Sequence, residues 1–120
     1  MKAQVIKQQV RTKKGLYKRN PQQALRIFER AIKAYNEGQK YFALQTARYA
    51  LKLARRNGEY IKAYISGFLA QIKLELGQNH LAKSYCMQAI QSLEKFHIDY
   101  EKDKGYYETL LRSIESESRN

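Results

Sequence analysis

The side chains best suited to chemistry are few, and their spacing matches no catalytic or metal-binding pattern. One thiol, Cys86, and two imidazoles, His80 and His97, occur in the sequence. The histidines are well separated along the chain and have no carboxylate motif nearby, so neither a metal site nor a general-base pair is indicated. Cys86 lies on an apolar helical face, where a buried structural thiol is expected rather than a nucleophile.

Motifs of the common enzyme classes are also missing from the sequence. It contains no Gly-rich phosphate loop, no nucleophile elbow and no HExxH motif. Glu115 and Glu117 belong to a polar C-terminal run rather than to a carboxylate pair. The sequence therefore predicts a protein that is not an enzyme and that uses no cofactor and no metal.

Cysteine content and hydropathy indicate the cellular compartment of the protein. A single cysteine cannot close an intrachain disulfide, which favours a reducing compartment, and no continuous apolar stretch is long enough to span a membrane. The basic N-terminus has no apolar run of the length that a secretory signal needs. A cytoplasmic protein without a membrane span is the expectation.

Charge is the strongest bulk feature. The formal net charge is +12 and the isoelectric point is near 9.9. Residues 1–93 carry eighteen Lys and Arg against four Glu, whereas the later residues carry five bases against seven acids. This asymmetry favours a polyanionic partner, whether a nucleic acid, an acidic protein surface or an anionic lipid. The alternative is that the charge only keeps a small basic protein in solution.

Turn signals divide residues 20–120 into five helical segments in which apolar residues recur at three- and four-residue steps. They predict helices that start at Asn20-Pro21 and near Lys40, Glu59, Asn79 and Asp103. Glycine stop signals end the first three, and Asn79 is predicted to cap the fourth. Residues 1–19 form a basic arm that is expected to be partly ordered.

One pattern recurs at a constant offset, the one that separates Gly38 from Gly77. A turn glycine, a small residue five positions later and another twelve positions later occur in the stretches NEGQKYFALQTARYALKLA and ELGQNHLAKSYCMQAIQSL. This spacing resembles the second half of a tetratricopeptide repeat, and the resemblance covers roughly residues 24–118. It departs from that family in having Ile27 and Ser66 at the tryptophan position, and a spacing longer than the usual of about 34 residues.

The resemblance implies an all-α fold. A right-handed stack of antiparallel helical hairpins is expected in a single domain of residues 20–120, with two hairpins and a C-terminal capping helix. Tetratricopeptide arrays usually bind their partners along the concave face formed by the first helix of each hairpin. Carried over by position, a predicted groove would be lined by Phe28, Ile32, Tyr35, Tyr64, Phe68, Gln71 and Tyr106.

Two interpretations of that groove stay open. An exposed aromatic groove would accept an amphipathic helix or a hydrophobic peptide. Aromatic stripes at helical spacing are most often core, however, so the same side chains are alternatively closed off by the N-terminal segment, the last helix or another subunit.

Basic residues form a second predicted surface, suited to an anionic partner. Arg48, Lys52 and Arg55 share one stripe of the second helix, which contains no acid. The full set is Lys13, Lys14, Lys18, Arg19, Arg48, Lys52, Arg55 and Arg56. Neighbouring tyrosines could stack on unpaired bases. The alternative is an ordinary solvated helix face.

From these features we expect a non-enzymatic adaptor or regulatory scaffold that binds a protein partner, either a peptide, a helix or an acidic surface. A nucleic-acid-associated protein that uses the basic stripe and the arm is the first alternative. A self-assembling homo-oligomer is the second, because two repeats are fewer than a stable array usually needs.

Overall fold

The computed structural model describes residues 22–57, 61–96 and 100–118, and these residues form five helices and no strand. The helices are α1 (Gln22–Asn36), α2 (Lys40–Asn57), α3 (Ile61–Glu75), α4 (Asn79–Phe96) and α5 (Tyr100–Ser118). The all-α prediction is confirmed. The arm of residues 1–19 and the predicted start at Asn20-Pro21 lie outside the described residues.

The same turn is built twice, once after α1 and once after α3. Gly38 and Gly77 follow these helices with φ angles of 84° and 77°, in the left-handed region that side chains disfavour. The N–H of the next residue, Gln39 or Gln78, donates to a carbonyl five residues back, at 2.9 Å in both turns. This is the hydrogen bonding of a Schellman motif, and it confirms these two glycine stop signals. The third predicted stop, at Gly58, falls outside the described residues.

The capping prediction for Asn79 is wrong. Asn79 is the first residue of α4, and the first helical hydrogen bond is accepted by the carbonyl of the preceding Gln78, from the N–H of Ala82 at 3.0 Å. The side-chain Oδ1 of Asn79 is buried without a hydrogen-bond partner. Because the glycine turn leads directly into the next helix, the N-cap falls one residue earlier than the sequence suggested.

The predicted start of the third helix, near Glu59, lies outside the described residues. One further helix limit differs from the prediction. The fifth helix runs from Tyr100 to Ser118 rather than from about Asp103 to Ser116. Asp103 is not a helix start, because it lies within α5 and is buried, with its Oδ2 accepting from the Tyr64 hydroxyl at 2.7 Å.

Small residues let the helices approach closely. Each helix packs on the next along the chain, and α5 also contacts α3. The helices that follow the two glycine turns, α2 and α4, pack against their neighbours through small side chains. These fully buried residues are Ala43, Ala47, Ala50, Ala54, Ala82, Cys86 and Ala89. Eleven of the fifteen residues of α3 are buried, so α3 is the centre of the core.

The last helix docks on α3 and α4 through specific contacts. The ring of Tyr107 lies against Gly67, and a Cβ at position 67 would come within 2.3 Å of the Tyr107 Cε1. The Cys86 thiol donates to the Tyr107 carbonyl at 3.1 Å. Tyr107, Leu110 and Ile114 are buried in this contact.

Candidate binding surface

The predicted aromatic groove does not form an open surface. Of its seven residues, Phe28, Ile32, Tyr64 and Phe68 are at most 2% exposed. The Phe28 and Phe68 rings meet edge to face with centroids 5.4 Å apart. In this structure those four side chains are core and cannot contact a partner, which agrees with the interpretation of the stripe as core.

The three remaining groove residues are half-buried and already make contacts. Tyr35 packs edge to face on Phe68, with centroids 5.5 Å apart. Tyr106 packs in the same way on Tyr107, at 5.4 Å. Gln71 donates through its Nε2 to the Glu75 Oε2 at 2.8 Å. All seven groove residues are therefore buried or half-buried, and they do not form the exposed aromatic groove of the first interpretation.

The Glu75 carboxylate ties together α1, α2 and α3. It accepts from the Tyr35 hydroxyl at 2.6 Å and forms an ion pair with the Lys40 Nζ at 3.1 Å. Burial alone would raise the pKa of Glu75, but hydrogen bonds from Gln71, Tyr35 and Lys40 and the charge of Lys40 outweigh it, so the pKa is lowered. Burial, followed by the Glu75 contact, raises the pKa of Tyr35 to about 12. This carboxylate is engaged and therefore acts as a structural tie.

The exposed face of α2 has a different composition. Between residues 40 and 56 the exposed side chains comprise four cations, three aromatics, one glutamine and no carboxylate. At about 100° per residue they cover a single arc of about 140° on the helix. We call this set the basic–aromatic face; its members are Tyr41, Phe42, Gln45, Arg48, Tyr49, Lys52, Arg55 and Arg56. Arg48, Lys52, Arg55 and Arg56 are thus exposed where the sequence predicted an anion-binding surface.

A cleft runs beside this face. It has a volume of about 480 Å³, and its lining residues are Gln45, Arg48, Tyr49, Leu51, Lys52, Arg55 and Tyr85. Tyr85 belongs to α4, so the cleft lies where α2 meets α4. A hydrogen bond from the Arg55 Nη2 to the Gln88 Oε1 of α4 also links the two helices there. The cleft therefore combines three cations, two phenol rings, one aliphatic side chain and one amide.

Positive charge continues beyond the cleft. Lys62, in the first turn of α3, has a lowered pKa, caused first by burial and then by the charges of Lys95 and Arg55. Lys95 is in the last turn of α4. Cations from three helices therefore lie close enough to repel one another, and an anion placed among them would relieve that repulsion.

Sequence reasoning missed Tyr85, Lys62 and Lys95 as members of this surface. Each lies on a different helix from the basic stripe, and only the packing of α3 and α4 against α2 brings them near Arg55. No local signal could have found them. The predicted arm residues Lys13, Lys14, Lys18 and Arg19 lie outside the described residues.

Cys86, His80 and His97 were the first residues considered for chemistry. Cys86 is fully buried, and its burial raises the pKa of the thiol to about 11. His80 is exposed in the first turn of α4, and His97 lies outside the described residues. Within 22–57, 61–96 and 100–118, no three His, Cys, Asp or Glu residues are grouped so as to hold a metal ion. In the same ranges no helix is long and apolar enough to cross a membrane.

Comparison of the sequence and the structure with protein-family models, curated proteins and solved structures finds no match. The functional interpretation therefore depends on the chemistry of the basic–aromatic face and its cleft.

Proposed function

We propose that this chain is a non-enzymatic interaction module that holds a negatively charged macromolecular partner on the basic–aromatic face of α2. In this proposal the scaffold is a tetratricopeptide-like stack of antiparallel helical hairpins. Its role is that of an adaptor, which presents a rigid helix to the partner.

Two observations support the scaffold part of the proposal. The glycine turn occurs at Gly38 and again at Gly77 with the same hydrogen bonds, as expected for two copies of one hairpin unit. Side chains of α1 also reach α3, since Phe28 and Tyr35 both pack on Phe68. Contacts between the first helices of successive hairpins are what a stack of such units requires.

The observation that carries the functional part is the composition of α2 compared with that of α4. At the offset that relates Gly38 to Gly77, the basic–aromatic face corresponds to His80, Leu81, Ser84, Met87, Gln88, Gln91, Glu94 and Lys95. That set contains one base and one acid, against four bases on α2. Both helices pack through small buried residues, so the fold does not require the cations of α2. A function outside the core is the better explanation for them.

Other surfaces have less support. The buried state of Phe28, Ile32, Tyr64 and Phe68 removes the open groove on which peptide binding would depend. The self-assembly hypothesis invoked a second copy to close that groove, and the described helices already bury these side chains. Within the described helices, the basic–aromatic face combines exposure with distinctive charge.

The first test is a charge reversal with a matched control. The variant Arg48→Glu/Lys52→Glu/Arg55→Glu changes the face, and Arg30→Glu/Lys33→Glu/Lys102→Glu makes the same charge change at exposed positions elsewhere. Binding of fluorescent polyglutamate and of an oligothymidylate is measured by anisotropy. We expect at least one probe to bind the unmodified protein and the control variant, and to lose binding to the face variant. Equal loss in both variants would show that net charge alone attracts anions, and it would contradict the proposal.

A further inference from the structure

We infer that the partner held on the basic–aromatic face is a single-stranded nucleic acid, whose phosphates contact the cations and whose bases stack on the exposed rings. This inference rests on the function proposed above and names the chemistry of its partner. It follows from the charges, the aromatic side chains and the cleft taken together.

The charges fit a partner with regularly repeated negative charge. Arg48, Lys52, Arg55 and Arg56 lie close together in sequence, and α2 contains no Asp or Glu. A nucleic acid strand presents one phosphate per nucleotide whatever its sequence, and binding releases its condensed counterions. Lys62 and Lys95 lie near enough to Arg55 for their charges to interact, so they add positive charge close to the face.

The aromatic side chains distinguish a nucleic acid from an acidic polypeptide. Tyr41, Phe42 and Tyr49 are 68%, 58% and 52% exposed, among the highest values for large hydrophobic side chains in the described residues. Ion pairs with carboxylates would leave these rings uncovered. Unpaired bases stack on aromatic rings, and they do so regardless of base identity because every base has a π face. Phe42 has no hydrogen-bonding group, so it would contact a nucleic acid through stacking.

The cleft offers a place for one base among the cations. Its volume of about 480 Å³ lies in the range of small-ligand sites. Tyr49 and Tyr85 line it from two helices, and Arg48, Lys52 and Arg55 line it as well. A flat heterocycle in the cleft can stack on a phenol ring while the flanking phosphates meet the guanidinium and ammonium groups.

A double helix fits this surface less well than a single strand. In a duplex the base faces are covered by their neighbours, so the three exposed rings would meet only the sugar–phosphate backbone. Arg and Lys alone would then supply the affinity. Exposed rings interleaved with cations are the arrangement that proteins use for unpaired strands.

The size of the face sets the length of the probe. From Tyr41 to Arg56 the helix rises about 22 Å, which corresponds to about six nucleotides at about 3.4 Å per nucleotide of a stacked strand. A labelled oligothymidylate or oligouridylate of about twelve nucleotides therefore spans the face with a margin on both sides. The comparison probes are a duplex of the same length and polyglutamate.

The experiment measures anisotropy across a salt series with the full-length protein. If four phosphates are contacted, the logarithm of the binding constant should fall against the logarithm of salt with a slope of about −3, at about −0.7 per contact. Tyr49→Ala should weaken binding of the single strand by about 5- to 150-fold with little change in slope, because it removes stacking but no charge. Tyr49→Phe should retain binding, and Met87→Ala on α4 is the matched control for truncating an exposed apolar side chain.

Two results would overturn the inference and leave the proposed function standing. In the first, polyglutamate binds more tightly than the single strand and the duplex do, and the Arg48→Glu/Lys52→Glu/Arg55→Glu variant no longer binds it. The other is equal binding of duplex and single strand together with no effect of Tyr49→Ala. If no probe binds in a way that depends on Arg48, Lys52 and Arg55, the proposed function fails as well.

Discussion

Gly67 determines how closely α5 approaches α3. The Tyr107 ring occupies the space that a side chain at position 67 would need, with three ring atoms between 2.3 and 2.7 Å from an added Cβ. Tyr107 is fully buried and cannot swing into solvent without uncovering the core. The packing of Tyr107 therefore requires a glycine at this mid-helix position, despite the low helix propensity of glycine.

Substitution of Gly67 by alanine should destabilise the protein. Overpacking of this kind typically costs about 1–3 kcal/mol, and urea unfolding measures it. Gly105→Ala in α5 is the matched control, since nothing lies within 4 Å of a Cβ there. The control should gain up to about 1 kcal/mol from improved helix propensity. Equal effects of the two substitutions would contradict the packing argument.

The Glu75 carboxylate should make stability depend on pH in acid. Its pKa in the folded protein is lowered below the ordinary value of a glutamate, about 4.5, so the contribution is fully present above about pH 4.5 and is lost as the pH falls through the folded-state pKa. The difference in unfolding free energy between the unmodified protein and Glu75→Gln should therefore shrink towards acid pH. Tyr35→Phe, which removes one hydrogen bond to the charged group, should cost about 1 kcal/mol at neutral pH. A difference that stays constant between neutral and strongly acid pH would exclude this role for Glu75.

The helix ends show which elements are predictable from sequence. Gly38 and Gly77 were identified correctly because a left-handed residue is a local requirement that glycine meets best. Asn79 was misassigned because Asn favours caps in general, whereas the Schellman turn had already placed the cap at Gln78. The start of α5 at Tyr100 was not predicted, because Asp103 is a residue type that commonly begins helices. In the structure Asp103 lies within α5, and its side chain accepts a hydrogen bond from Tyr64.

Substitution of the turn glycines should lower the free energy of unfolding through backbone strain and not through a steric clash. No atom lies within 4 Å of a Cβ at Gly38 or Gly77, so the penalty comes from the positive φ angle and should be about 1–2 kcal/mol for Gly77→Ala. Gly77→Asn should cost less, because Asn tolerates this region better. Denaturant midpoints at constant slope measure both changes. A larger loss with Asn than with Ala would contradict this explanation.

On the scale of the whole molecule, the proposed binding surface was predictable only in part. The stripe of Arg48, Lys52 and Arg55 follows from helical periodicity, and the structure leaves all three exposed. The groove was predicted with the same periodicity, yet periodicity does not say whether an apolar face meets solvent or another helix. Tyr85 and Lys62 depend on packing between helices that are distant in sequence, which a single sequence does not specify.

The excess of positive charge should make the protein more stable when salt is added. At about 10 mM salt the screening length is about 30 Å, and at about 0.15 M it is about 8 Å. Repulsion among Arg55, Lys62 and Lys95 should therefore weaken over this range and raise Tm in a thermal melt. The Arg48→Glu/Lys52→Glu/Arg55→Glu variant should show a smaller rise, whereas the control with Arg30, Lys33 and Lys102 reversed retains this cluster. Identical salt responses in the two variants would locate the repulsion elsewhere in the chain.

Cys86 lies under α5, so the rate at which its thiol is labelled measures how often α5 detaches. The thiol donates to the Tyr107 carbonyl, and its pKa of about 11 leaves almost no reactive thiolate at neutral pH while α5 is docked. A disulfide reagent in excess can then react only after α5 lifts away, so the labelling rate counts opening events of one helix. Tyr64→Phe weakens the anchor at Asp103 and should speed labelling more than it lowers the global midpoint. The detachment of the last helix can thus be measured with the cysteine that the sequence already contains, without an engineered residue.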